Sequence, residues 1–116
     1  MKVFVASELA LEIIGSVKVV VTRIGRHDRD LMVQARRAAN SVALNVDEGN
    51  RRAGADRLHH FRIAAGSAGE LRGALRCALA WGWLDAAAAA PALALIDREL
   101  AVLYRLVNGP GARAAT

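Results

Sequence analysis

The sequence predicts an all-α fold, and within that class an antiparallel up-down-up-down four-helix bundle. Three observations carry this. Apolar residues recur at the three-and-four spacing of a helix in four successive segments, with breakers between them. The chain is 54% hydrophobic but only 4% aromatic, dominated by Ala and Leu, with two prolines, and this composition favours helices over sheets. The connections are short, which makes successive helices antiparallel neighbours.

The first segment runs from about Ser7 to Ile24. Ser7 is its expected N-cap, and Leu9, Ile13, Val17, Val20 and Ile24 form its stripe. The run Val17–Val21 is strand-like by propensity. Three helical segments follow and no second strand is there to pair with it, so helix is the expectation. The second segment opens near Asp28 or Asp30, whose carboxylates suit a positive helix N-terminus. Its stripe is Leu31, Ala35, Ala38, Ala39, Val42 and Val46, and Gly49 is expected in the left-handed C-terminal position.

The third segment spans about Ala55 or Asp56 to Trp81 or Gly82, with a core face of Phe61, Ala64, Ala65, Ala68, Leu71, Leu75, Ala78 and Leu79. Gly66, Gly69 and Gly73 share one face inside it, each costing roughly 1 kcal/mol against Ala. That cost points to a groove where another helix approaches closely, within the bundle or across subunits. The fourth segment follows "DAAAAAP", with Pro91 expected in the first turn and Leu93, Ile96, Leu100, Leu103, Tyr104 and Val107 as its stripe. Ala86–Ala90 reads either as a helix extension or as a linker. Residues 1–109 thus make one bundle domain and 110–116 a C-terminal tail. The thin Ala/Leu core favours further burial by self-association.

The net charge of +5 is unevenly placed. Between Arg23 and Arg76 lie eleven Arg and six acids, whereas the rest of the chain balances. A concentrated cationic surplus suits an anionic partner, nucleic acid above all. Arg51, Arg52, Arg57, Arg62, Arg72 and Arg76 are the candidate phosphate contacts, because guanidinium groups bind phosphate bidentately. With few aromatics to interleave, binding is expected to follow shape and charge rather than base identity. A solvated, Arg-rich helix face explains the same composition without any partner.

The single cysteine, Cys77, excludes an internal disulfide, fits a cytoplasmic location and is expected in the core. Glu8 and Glu12 interrupt the apolar N-terminus, which argues against a signal peptide. No stretch reaches the roughly 18 apolar residues of a membrane span. Trp81 and Trp83 are expected in core packing or a subunit contact.

One polar cluster stands out in "RRAANSVALNVDEGNRR", Arg36 to Arg52. Gln34, Ala38, Ser41, Asn45 and Glu48 fall on one stripe, which sets Asn45 at the core edge, where it needs partners. The structural explanation is a helix-end network fixing the register of the second and third helices; the alternative is a ligand or catalytic site. His59 and His60 are adjacent, about 100° apart on a helix, so they do not share a metal ion. Neither a metal site nor a cofactor is expected. Arg52 with His59 resembles, in two common residues only, the Arg–His pair of HEPN-type helical ribonucleases.

From Gln34 to Arg52 the chain resembles a known family, the four-helix-bundle proteins related to those encoded in intervening sequences of bacterial 23S rRNA genes. The family pattern Q-x-R-R-A-x-x-S-x-x-x-N-x-x-E-G-x-x-R falls on Gln34, Arg36, Arg37, Ala38, Ser41, Asn45, Glu48, Gly49 and Arg52. It continues through "GSAGEL" at Gly66, Ser67, Glu70 and Leu71, and through "ALAWGWLD". The first helix lacks the family's aromatic and Ala pattern. The resemblance implies a homopentameric ring of bundles and no established reaction. It also implies a structural polar network of Arg37, Ser41, Asn45, Glu48, Gly49, Arg52, Ser67 and Glu70. Proteins of the same fold serve as accessory variability determinants of diversity-generating retroelements, basic pentamers that bind nucleic acid and a reverse transcriptase. The expectation is therefore a non-enzymatic, self-assembling bundle that binds structured RNA or DNA. A protein-interaction scaffold is the alternative, and a ribonuclease relying on His59 or His60 with Arg52 is the third reading.

Overall fold

The four apolar stripes fold as four helices in a computed structural model that describes residues 4–110: α1 Val5–Gly25, α2 Arg29–Asn50, α3 Gly54–Ala80 and α4 Ala86–Asn108. No strand occurs among the described residues. Helix α1 packs on α2 and α4, and α3 packs on the same two, so the helices surround one shared core. Phe61 is the largest side chain fully enclosed there, among Leu9, Ile13, Ile24, Leu71, Leu75, Ile96 and Leu103. The expected tail from residue 111 onward lies outside the described residues.

The Val17–Val21 run is helical. Val17, Val20 and Val21 are buried while Lys18 and Val19 are exposed, a three-and-four pattern that a strand cannot produce. Burial overrides local propensity here. Ser7 is not the N-cap of α1. The helix starts two residues earlier, with Phe4 as N-cap, and the Phe4 ring stacks on Phe61 at 5.9 Å between centroids. An apolar anchor sets this end, and the Ser7 hydroxyl is left buried without a hydrogen-bond partner.

Helix α2 begins as expected, with Asp28 Oδ1 accepting from the Leu31 N–H at 2.9 Å. Its end differs from expectation. Gly49 is helical and buried rather than left-handed, and a β-carbon there would stand 2.6 Å from the Phe61 ring. Its missing side chain makes room for the core aromatic. The left-handed terminator belongs to α3: Gly82 has φ +78°, its N–H bonds to Leu79 O at 3.0 Å, and the Trp83 N–H bonds to Ala78 O at 2.9 Å. Those two bonds close a Schellman motif.

Gly66, Gly69 and Gly73 lie exposed on the outer side of α3, and nothing in the chain comes within 4 Å of where their β-carbons would be. The expected close helix approach within the bundle therefore does not occur. Cys77 is exposed rather than in the core, and Tyr104, expected on the α4 stripe, is 69% exposed.

Asp85 caps α4, accepting from the Ala88 N–H at 2.7 Å, so the Ala86–Ala90 run forms the helix start and Pro91 falls in the second turn. Proline there leaves the Ala87 carbonyl without its helical donor. Both residues are exposed, so water replaces it. One core member is an acid at a stripe position, three residues after Ile96 and four before Leu103: Glu99 is fully buried, and neither carboxylate oxygen has a hydrogen-bond partner. Burial pushes its carboxyl up to about 8.

Candidate functional site

The apolar stripes of α2 and α3 leave one polar flank each, and these flanks meet along a seam. Ser67 Oγ donates to Ser41 Oγ across it at 2.7 Å. One turn further on, Asn45 Nδ2 donates to the Ser41 carbonyl at 3.0 Å and to Ser41 Oγ at 3.2 Å. With its amide nitrogen so engaged, Asn45 Oδ1 accepts from His60 Nδ1 at 3.0 Å, which assigns the imidazole the tautomer protonated at Nδ1.

The opposite ring nitrogen, His60 Nε2, stands 3.9 Å from Asp56 Oδ1. Asp56 Oδ2 accepts from an Arg52 terminal nitrogen at 2.8 Å, and Arg52 Nε donates to Glu48 Oε2 at 3.0 Å. The other Glu48 oxygen accepts from Arg51 at 2.8 Å, and Arg51 donates on to Asp47 at 3.0 Å. The result is a polar ladder in two parts, a half-buried run of Ser67, Ser41, Asn45 and His60 and an exposed ionic run from Asp56 to Asp47, which approach at His60 and Asp56 without a hydrogen bond between them. The Arg52 and then the Arg51 guanidinium hold the Glu48 carboxyl below its ordinary value, and the Glu48 and Asp56 carboxylates raise Arg52.

Of the residues expected in this network, Ser41, Asn45, Glu48, Arg52 and Ser67 come together, and Gly49 lies beneath them against Phe61. Arg37 and Glu70 are exposed and make no hydrogen bond or ion pair among the described residues. Asp47 and Arg51, from the same polar stretch at the end of α2, join them, as do Asp56 and His60 from α3; of these, Arg51 is one of the expected phosphate contacts and His60 a candidate of the ribonuclease reading. Their signal is present in the spacing: Asp47–Arg51, Glu48–Arg52, Arg52–Asp56 and Asp56–His60 are all four residues apart. That spacing brings side chains together on a helix, and here it also carries across the turn at residues 51–53.

The six candidate phosphate contacts do not share one environment. Arg51 and Arg52 are exposed but face carboxylates. Arg57 is half-buried, donates to the Gly49 and Asn50 carbonyls at 3.1 and 3.4 Å, and lies 4.7 Å from the Phe61 ring centroid. It closes the C-terminus of α2 and covers the aromatic pair beneath, a cation–π contact. Arg72 donates to Asp97 at 3.0 Å and ties α3 to α4. Arg62 and Arg76 are exposed and enter no ion pair among the described residues.

Chemically, the ladder offers hydrogen bonding and fixed charge. No cluster of three or more His, Cys, Asp or Glu side chains suited to a metal ion occurs among the described residues. No helix is long and apolar enough to cross a membrane. At the end of α3, Trp83 stacks between His27 at 5.6 Å and Trp81 at 5.7 Å, leaving Trp81 71% exposed.

No curated protein and no solved structure shows significant similarity to the chain. The family model described as 23S rRNA-intervening sequence protein, in contrast, matches residues 5–105, which takes in most of all four helices and the whole ladder. On that match, the chain belongs to the 23S rRNA-intervening sequence protein family.

Proposed function

We propose that this protein is a non-enzymatic, self-assembling up-down-up-down bundle that acts as an accessory binder of structured RNA or duplex DNA in the cytoplasm. The observation that carries the reading is membership of a family named for an insertion in ribosomal RNA. The positive surplus in the middle of the chain is consistent with it. Turns of three to five residues between the helices support the antiparallel arrangement. A homopentameric ring is the assembly we propose, and the open Gly66–Gly69–Gly73 face of α3 supports close helix approach between subunits.

Within the six candidate arginines, Arg62 and Arg76 are the ones we assign to phosphate, because no carboxylate competes for them. Arg51, Arg52 and Arg72 reach phosphate only by giving up an ion pair. Arg57 serves the bundle instead. The ladder is structural in this reading. The ion pairs of Arg52 with Glu48 and Asp56 and the bond from His60 to Asn45 support a structural role for these two residues, and loss of RNA cleavage in His59→Ala would instead support the ribonuclease reading. The exposed Trp81 favours a second reading, a protein-interaction scaffold in which a reverse transcriptase or another protein is the partner.

The test is a salt titration of binding to a hairpin RNA and a DNA duplex, using protein freed of nucleic acid. Affinity should fall linearly with the logarithm of salt concentration, and Arg62→Glu with Arg76→Glu should flatten that slope by about two contacts. No binding at low salt overturns the nucleic-acid reading and leaves the scaffold. Native mass spectrometry reads the subunit number, and a species that is not a multiple of five overturns the ring.

A further inference from the structure

The outward face of α1 carries a pattern that neither the core nor the ladder uses. Glu8, Glu12, Gly15, Val19, Thr22 and Arg26 recur at spacings of four, three, four, three and four, so they form one stripe along the helix, with Val19 its one large apolar member. All six are exposed. The stripe is polarised: Glu8 and Glu12 are at its N-terminal end, and Arg26, flanked by Arg23 and Lys18, is at its C-terminal end. None of these five charged residues forms an ion pair among the described residues.

Large apolar side chains accompany the charges, with Val19 56% and Leu11 60% exposed. At the middle, nothing in the chain lies within 4 Å of where a Gly15 β-carbon would stand. The Thr22 hydroxyl is satisfied by the Lys18 carbonyl at 2.9 Å, so it asks nothing of a partner. Lys18, Val19, Thr22, Arg23 and Arg26 line an open surface depression.

We infer that this face is a two-fold contact surface for a second copy of the same chain, with α1 packed antiparallel on α1 of the other copy. The register follows from the spacing. A two-fold axis at the level of Val17 sets Glu8 opposite Arg26, Glu12 opposite Thr22 with Arg23 beside it, and Gly15 opposite Val19. Glu8 then meets opposite charge at Arg26, Glu12 has Arg23 beside it, and each acid end enters the other copy's cationic depression. The open space at Gly15 receives Val19, allowing the helix axes to approach closely.

Complementing the helix macrodipole explains an acid at Glu8 and a base at Arg23, since that effect is confined to the terminal turns. It does not explain Glu12, Lys18 or the exposed valine and leucine. The chain's own termini do not suit the cationic end, because Lys2 and Arg113 are basic. The contact is isologous, so it closes at two copies, or joins two rings where the copies already form rings. It therefore stands independently of the ring proposed above.

Sedimentation of purified protein over a range of about 1 to 100 µM tests it, the range in which a small helix–helix interface associates. Wild type should show twice the mass of a variant carrying Glu8→Arg and Glu12→Arg, and of a variant carrying Arg23→Glu and Arg26→Glu. Mixing the two variants one to one should restore the wild-type mass, which misfolded chains cannot do. Gly15→Leu, which alters bulk without charge, should weaken association about tenfold or more while helicity is kept. Equal mass for wild type and both variants, or failure of the mixture to associate, overturns the inference whether or not rings form.

Discussion

His60 Nδ1 lies 3.0 Å from Asn45 Oδ1, and this bond ties α3 to α2 at the half-buried end of the ladder. Asn45 is the pivot because its amide meets Ser41 on its own helix while its carbonyl oxygen crosses to the next. Asn45→Ala leaves His60 and Ser41 short of a partner in a partly enclosed seam. It should cost about 1–3 kcal/mol by denaturant unfolding. Asn45→Ala, His60→Ala and the double variant form a cycle, in which a coupling of at least about 0.5 kcal/mol is expected. Strict additivity would mean the bond contributes nothing.

Gly49 separates two opposing effects of glycine in a helix. Propensity alone says that Gly49→Ala gains about 1 kcal/mol. The Phe61 ring, 2.6 Å from the position of the new carbon, says the reverse. Overpacking costs about 1–3 kcal/mol, so Gly49→Ala should lower the melting temperature. Gly69→Ala meets no atom of the chain and should raise the intrinsic stability of the bundle. If the α3 glycine face joins subunits, the same substitution should also reduce the subunit number seen by native mass spectrometry.

The contrast between Gly49 and Gly82 shows what was legible in the sequence. Helix number, the stripes of α1 and α2 and the start of α2 at Asp28 follow from period and from short-range hydrogen bonding, whereas the cap at Asp85 is not among the expectations and the Ala86–Ala90 run reads either as helix or as linker. Which glycine turns the chain and which yields space to a ring depends on where Phe61 lies, and that is a tertiary fact. Ser7 looked like a cap because capping is local, but the helix end was set by Phe4 reaching Phe61. The ladder was half legible: the Ser41, Asn45 and Glu48 stripe was visible, whereas His60 entered from another helix. Glu99 was legible by position and not by chemistry: it stands three residues after Ile96 and four before Leu103, on the buried stripe, but a carboxylate is ordinarily assigned to solvent.

Arg57 and Arg76 carry the same charge and should behave differently. Arg57 covers Phe61 and bonds the last carbonyls of α2, so Arg57→Ala removes packing, a cation–π contact and a helix-end donor together. A loss of about 1–3 kcal/mol is expected, without a specific loss of nucleic-acid affinity once the protein is folded. Arg76→Ala should leave the unfolding midpoint within about 0.5 kcal/mol of wild type. Its effect should appear in the salt dependence of binding. Reversal of this order would move the phosphate contacts from Arg76 to Arg57.

Glu99 makes the stability of the bundle depend on pH. Its carboxyl titrates at about 8 in the folded chain against an ordinary value of 4.5. Between these values the folded state holds a proton that the unfolded state has released. The group therefore adds no pH-dependent cost below about pH 4.5, and stability falls as pH rises toward about 8, with a slope approaching 1.4 kcal/mol per pH unit. Above that range the loss is complete and amounts to a few kcal/mol. Glu48 contributes in the opposite sense, since its lowered carboxyl adds stability that disappears as pH falls through its folded-state value. The two act in separate windows, one acidic and one from mildly acidic to mildly alkaline. Glu99→Gln should abolish the alkaline loss, and Glu99→Leu should raise the melting temperature at pH 8 more than at pH 5. Unfolding curves of wild type and both variants at these two pH values decide it. An alkaline loss that persists unchanged in Glu99→Gln would assign it to another group.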